Sequence, residues 1–166
     1  MIVSNSSPLM YLAKIGKLSF LKVLFKEIII PKEVYEEVVI GKNERYIDSF
    51  VVEKAVKEGW IKVKETKINN ELEGFAPEID KGEIAVISLA KQINSSLVLI
   101  DDASARTIAE SFDLNVKGTL YVLLKAFKSK ITDKKETIKL INRLISSGFR
   151  ISQESYMQIL NDLNNY

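Results

Sequence analysis

The stretch Ser96–Arg106, SLVLIDDASAR, limits the possible folds more than any other part of the chain. Leu97–Ile100 is a short, unbroken aliphatic run. Such runs belong to strands covered on both faces, the usual situation in a parallel sheet. The run leads straight into two acids, Asp101 and Asp102, and a helix is expected from about Ala103. Open α/β sheets bind their ligands at this carboxyl edge of the strands. One carboxylate pair is not an active site, so the question is which other acids return to the same edge.

The rest of the chain alternates in the same way. Met1–Ser4 reads as a first strand, with Ser7 as cap and Pro8 as first residue of a helix ending near Gly16. Leu18–Leu24 reads as a short helix and Glu27–Ile30 as a β-branched strand closed by Pro31. A helix is expected from Pro31 through Val39, stopped by Gly41. Tyr46–Glu58 reads as an amphipathic helix with Ile47, Phe50, Val51 and Ala55 inward. Trp60–Val63 is expected as an edge strand between lysines, and Glu65–Pro77 as a loop with one turn. Asp80 and Glu83 have the spacing of a capping box, opening a helix to about Ile93 that is apolar on nearly every side. Leu114–Lys117 is a fifth strand, and Gly118 leads into a helix through Phe127. Asp133–Ser147 reads as a helix with a second capping box (Asp133, Glu136), and Ser152 as the cap of a last helix to Leu163. Alternating strands and helices point to a parallel sheet covered on both faces. At 166 residues the chain is one domain, or one domain with small additions.

Composition narrows the chemistry. The chain has no histidine and no cysteine, which excludes imidazole and thiolate metal sites, disulfides and a Ser-His-Asp triad. Metal chemistry must then use oxygen ligands, which suits Mg²⁺ or Mn²⁺. A net charge of +2 neither requires nor forbids a nucleic-acid partner. No run is long and apolar enough to span a membrane, and the first residues lack the pattern of a signal peptide, so a cytoplasmic location without membrane contact is expected.

The candidate site residues each carry an alternative reading. Glu83 shares a helix side with Ile87 and Ala90. It either completes the capping box or offers a buried carboxylate that needs a metal, a proton or a partner. Glu36 and Glu37 flank the core side of their helix equally, and periodicity does not choose between them. One of Asp101 and Asp102 can be explained as a helix cap; needing both is harder to explain. Asn5 is a turn residue or cap, or a ligand that gives a carbonyl oxygen without charge. Arg106 either pairs with Asp102 one turn away or contacts phosphate. Lys125, Lys128, Lys130, Lys134 and Lys135 are a solvated face or a track for an RNA backbone. Tyr156, Met157 and Leu160 cover either the core or a dimer partner. Converging carboxylates of this kind are the apparatus of metal-dependent phosphodiester hydrolysis.

Five segments occur together and in order: IVSNSSPLMYLAKIGKL, IIIPKEVYEEVV, DKGEIAVISLA, LVLIDDASAR and VKGTLYVLLKA. Together they resemble a PIN domain, close to the VapC-type toxin ribonucleases and closer still to a prokaryotic PIN branch named only as a domain of unknown function. The tail ISSGFRISQESYMQIL is similar to that branch's C-terminal helices. The resemblance implies a three-layer α/β/α sandwich around a mainly parallel five-stranded sheet, with a PIN-like domain over 1–130 and a helical extension over 131–166. It implies cleavage of RNA with Mg²⁺ or Mn²⁺, a small antitoxin as partner, and a homodimer. It selects Glu37 over Glu36 and implies Glu37, Glu83, Asp101 and Asp102 as catalytic and metal-binding acids. Asn5 would be a further metal ligand, and Ser6, Ser7 and Arg106 would be substrate contacts. The family's first ligand is an aspartate, where this chain has Asn5; the amide removes one negative charge, which lowers attraction for a divalent ion. The alternative function is a non-catalytic PIN domain that binds RNA or protein. A magnesium-dependent phosphatase fits less well, since its nucleophilic aspartate would be expected where Asn5 stands.

Overall fold

The computed structural model describes residues 1–40, 47–74 and 77–165. Five strands form one sheet: β1 (Ile2–Ser4), β2 (Ile28–Pro31), β3 (Ile61–Lys64), β4 (Leu97–Leu99) and β5 (Val116–Lys117). Their order is β3-β2-β1-β4-β5, and every pairing is parallel. β1 lies at the centre, with Ile2, Val3 and Ser4 in register with Leu97, Val98 and Leu99. The chain winds one way from β1 to β3 and the other way from β4 to β5. The crevice outside the carboxyl ends of β1 and β4 is therefore the switch point of the sheet.

Helices flank the sheet in an α/β/α sandwich. α3 (Lys32–Tyr35), α5 (Asn70–Glu73) and α6 (Lys81–Gln92) form one group, with α6 lying across β1, β2 and β4. Gly82 through Ala90 of α6 are all buried, as its apolar sequence requires. α1 (Ser6–Lys14), α2 (Ser19–Phe25), α8 (Thr119–Lys128) and α9 (Lys134–Ser146) form a second group. α4 (Ile47–Lys57) packs on α1 and β3, α7 (Ala103–Ser111) on β5, and α10 (Gln153–Asn164) ends the chain. Leu140, Ile141 and Leu144 of α9, with Ile159 and Leu163 of α10, join the same core as the sheet.

Several local expectations are corrected. The first helix is capped by Asn5, not Ser7, and Pro8 falls inside its first turn. An asparagine oxygen directly after β1 is placed to accept the first free N–H, so the helix starts two residues early. The helix after Pro31 begins at Lys32 and widens at Glu36–Ile40 into a π turn; Gly41, its expected stop, lies outside the described residues. In α4, Val52 and Ala55 face inward while Phe50 and Val51 are exposed, because the buried stripe runs through Ser49, Val52 and Ala55. At α9, Asp133 accepts from Glu136 N, but the Glu136 carboxylate goes to Lys17 at 3.5 Å, so the second capping box is only half formed. In α10 Ile159 and Leu163 are buried in the core and Tyr156 packs against it while donating to Asn142 Oδ1, as one of the two readings had it, whereas Met157 is exposed. β3 is the edge strand expected, and α5 is the single turn expected in the polar stretch before α6.

Candidate metal centre

Four helices begin at the switch-point edge, and their N-terminal residues build the site. Asn5 follows β1, and its backbone N–H continues the ladder by donating to Leu99 O. Its side-chain oxygen accepts from Ser6 N at 2.8 Å, and its Nδ2 donates to Glu83 Oε1 at 3.4 Å. The partners settle which end of the amide is which, since an N–H needs an oxygen and a carboxylate needs a donor. The oxygen expected as a metal ligand thus also caps α1, which takes up one of its two lone pairs.

Glu83 is 7% exposed. Its Oε2 accepts from Asp80 N at 3.0 Å while Asp80 Oδ1 accepts from Glu83 N at 2.8 Å, so the capping box is present. Both readings of Glu83 hold at once: one oxygen caps α6 and the other points toward Asn5. Burial above all pushes its carboxyl up to about 7, reinforced by the fields of Asp80, Asp102 and Glu37 and opposed by the Asp80 N–H. Among the described residues no lysine or arginine contributes to that balance.

Glu37 leaves the π turn toward the same place. Its Oε1 accepts from Ser6 Oγ at 3.0 Å. Its Oε2 lies so near α6 that a Cβ on Gly82 would sit 3.1 Å away. Gly82 thus keeps the first turn of α6 open to the approach of Glu37. The π turn buries Val38 and Val39 together while carrying Glu37 to this edge. Glu36 is exposed, and its field acts on Lys32.

The two acids after β4 divide their work. Asp102 caps α7, its Oδ1 accepting from Ala105 N at 2.9 Å, and remains exposed. Asp101 turns the other way: its Oδ1 accepts from Thr119 N at 2.7 Å and its Oδ2 from Thr119 Oγ1 at 2.6 Å. Burial raises the Asp101 carboxyl, while the Thr119 bonds and Arg106 hold it down. Arg106 accordingly serves Asp101, not Asp102, and its Nη1 also donates to Ile100 O at 3.3 Å. Thr119 was missed in the sequence; its signal was a Gly-Thr pair directly after a predicted strand, at the same edge as the acids.

Asp102 and Glu37 thus both act on Glu83, Asn5 and Ser6 hydrogen-bond to Glu83 and Glu37, and Asp101 faces α8. Among the described residues no three acidic side chains are gathered closely enough to hold a metal ion as they stand. The donor set still fits a hard divalent cation in kind. It offers oxygen donors, and a buried carboxylate that burial first and acidic neighbours after it drive toward the protonated form is relieved by a cation. Helix N-termini at the same edge supply partial positive charge meanwhile.

A family model described as a PIN domain matches residues 1–165. No curated protein and no solved structure matches the chain.

Proposed function

The chain belongs to the PIN-domain family, and on that premise we propose that it is a metal-dependent ribonuclease, the toxin of a toxin–antitoxin pair. The observation that carries this reading is Glu83: a buried carboxylate at the switch point, in the field of Asp102 and Glu37, with no lysine or arginine among the described residues acting on it. Glu37, Glu83 and Asp102 would hold Mg²⁺ or Mn²⁺. Such an ion, when bound, activates water and screens the phosphodiester charge.

The remaining work falls to this chain's own groups. Ser6 Oγ orients Glu37, and the Asn5 amide orients Glu83. Glu83, whose carboxyl is pushed up to about 7 by its burial, must give up its proton before it can hold an ion. Asp101 and Thr119 fix the position of α8 against β4, and Ser7 lines the hollow beside Asp102. A small antitoxin, a homodimer and a cytoplasmic setting go with the toxin reading by resemblance. No described helix is long and apolar enough to cross a membrane.

One observation favours the alternative of a non-catalytic binding domain. Asn5 gives its oxygen to the α1 cap and presents an N–H₂ group to Glu83. That arrangement lacks the charge an aspartate would bring and gives the buried acid a hydrogen-bond donor.

Cleavage of a mixed RNA substrate, with Mn²⁺ and with chelator, separates the two. The proteins compared are the native chain, Asn5→Asp and Asp102→Asn. We expect native cleavage that requires metal and falls in Asp102→Asn by at least about tenfold, since even groups behind the ligands cost that much. Cleavage by Asn5→Asp alone would make the natural role binding. No cleavage by any of the three would overturn the enzyme reading for the RNAs offered.

A further inference from the structure

Three hollows run into one another across the switch-point edge. The first, of ≈ 180 Å³, lies beside Lys14 and Glu37 and shares Ser7 and Tyr11 with the second. The second, of ≈ 260 Å³, holds Asp101 and Asp102. It shares Asp101, Phe149 and Arg150 with the third, a cleft of ≈ 650 Å³ between α7, α8 and the start of α10 that also contains Arg106 and Lys117. The result is one groove with Asp101 and Asp102 in the middle and cations toward both ends, Lys14 beside Glu37 at one and Arg106 and Lys117 beside Glu110 at the other. Its wall near the acids is aromatic: Tyr11 and Phe149 meet edge to face at 5.1 Å, and both are half-buried. The Tyr11 hydroxyl donates to Gly148 O at 3.4 Å, which holds the loop after α9 against α1.

Arg150 stands out in this setting. It is exposed and has no hydrogen-bond or ion-pair partner among the described residues, although Asp101 and Asp102 line the same hollow. A guanidinium kept beside acids without pairing to them is free to meet an anion crossing the site. Carboxylates repel phosphates, so a polyanion entering here must be held on either side of them. Ring faces in the wall accept stacked bases only from a strand whose bases are unpaired.

Building on the ribonuclease reading, we infer that single-stranded RNA lies along this groove, with Arg150 as the residue that positions its backbone beside the acids. Lys14 holds the strand on the far side, and Arg106 and Lys117 continue the track beyond Arg150. The Phe149–Arg150 segment, in the C-terminal third of the chain, is thereby part of the substrate site. Lys128, Lys130 and Lys134 line a separate hollow that shares no residue with the groove.

The test is equilibrium binding of a fluorescent mixed-sequence oligoribonucleotide, read by anisotropy with Ca²⁺ in place of Mg²⁺ across a salt series. Arg150→Ala should weaken binding about 3–10-fold and lower the salt slope by about 0.7, the value of one phosphate contact on a single strand. Its melting temperature should not move, and Arg150→Lys should recover most of the affinity. Lys139→Ala, on the exposed face of α9, should bind as the native chain does. Native affinity and slope in Arg150→Ala would overturn the inference, leaving the groove to a protein partner. So would tighter binding of the matching duplex, or no RNA binding by the native chain. Binding without cleavage would instead sink the ribonuclease reading and leave the groove assignment standing.

Discussion

Glu83 shows how much one residue is asked to do. It caps α6, accepts from Asn5 and carries a carboxyl pushed up to about 7 by burial first and by three acidic neighbours after it. The ordinary value is 4.5. A folded-state pKa above the unfolded one means that the fold favours the protonated acid. Glu83 therefore costs nothing below the unfolded value, costs progressively more as pH rises toward about 7, and costs a constant amount above that. In metal-free buffer, the native chain should lose stability between those two pH values. Glu83→Gln keeps an oxygen for Asp80 N and removes the charge. It should flatten this loss and be more stable than the native chain at pH 8 by about 1–2 kcal/mol, after discounting for water at the site's mouth. Urea titrations at several pH values measure this directly; equal pH dependence in both proteins would show that Glu83 is not the buried acid responsible.

At the scale of elements, the carboxyl edge is held together by contacts between neighbouring βα junctions. Asp101 ends β4 but satisfies the first turn of α8, and Gly118 is the residue that lets it do so. A Cβ at Gly118 would stand 2.6 Å from Asp101 Oδ1 and 3.2 Å from Arg106 Nη1. The Gly118 backbone itself is extended, at φ −121°, so the requirement is one of space and not of dihedral angle. Gly118→Ala should push Asp101 off Thr119 and cost about 1–3 kcal/mol, in the range of other overpacking substitutions. Thr119→Val, which leaves the half-buried Asp101 Oδ2 without its hydroxyl donor, should cost a similar amount. Both are read from denaturant midpoints. If Gly118→Ala is as stable as the native chain, Asp101 does not need this junction and is free to serve the site instead.

For the molecule as a whole, the sheet's switch point gathers acids whose fields add at Glu83. A divalent ion that binds only the folded chain stabilises it by mass action. Mn²⁺ or Mg²⁺ should therefore raise the melting temperature, more at pH 8 than at pH 5, because the proton on Glu83 competes with the ion at the lower pH. The shift should shrink in Glu83→Gln and in Asp102→Asn. A thermal shift of equal size in all three proteins and at both pH values would mean that the ion binds elsewhere. This readout needs no turnover and does not depend on which RNA is cut.

The amino-acid sequence by itself determined the layout. Short β-branched or aliphatic runs between helical periods specify five strands in a parallel sheet. Leu97–Ile100 leading into Asp101 and Asp102 marks its carboxyl edge, and Asp80 with Glu83 marks a capped, buried helix. Those features are local, governed by periodicity and by which residues can satisfy a helix end. Three-dimensional packing alone decided what each acid faces. Asp101 and Asp102 are adjacent in sequence, yet one turns to Thr119 and the other caps α7. Asn5 caps α1 with its oxygen and meets Glu83 with its nitrogen, and Phe50 looks buried until the packing of α4 turns it to solvent. The reason is physical: each of these outcomes depends on a partner tens of residues away, or on competition for a single N–H, and helical or strand spacing carries no record of either. The groove joining Lys14, Asp102 and Arg150 is of the same kind, made where α1 and the loop after α9 meet.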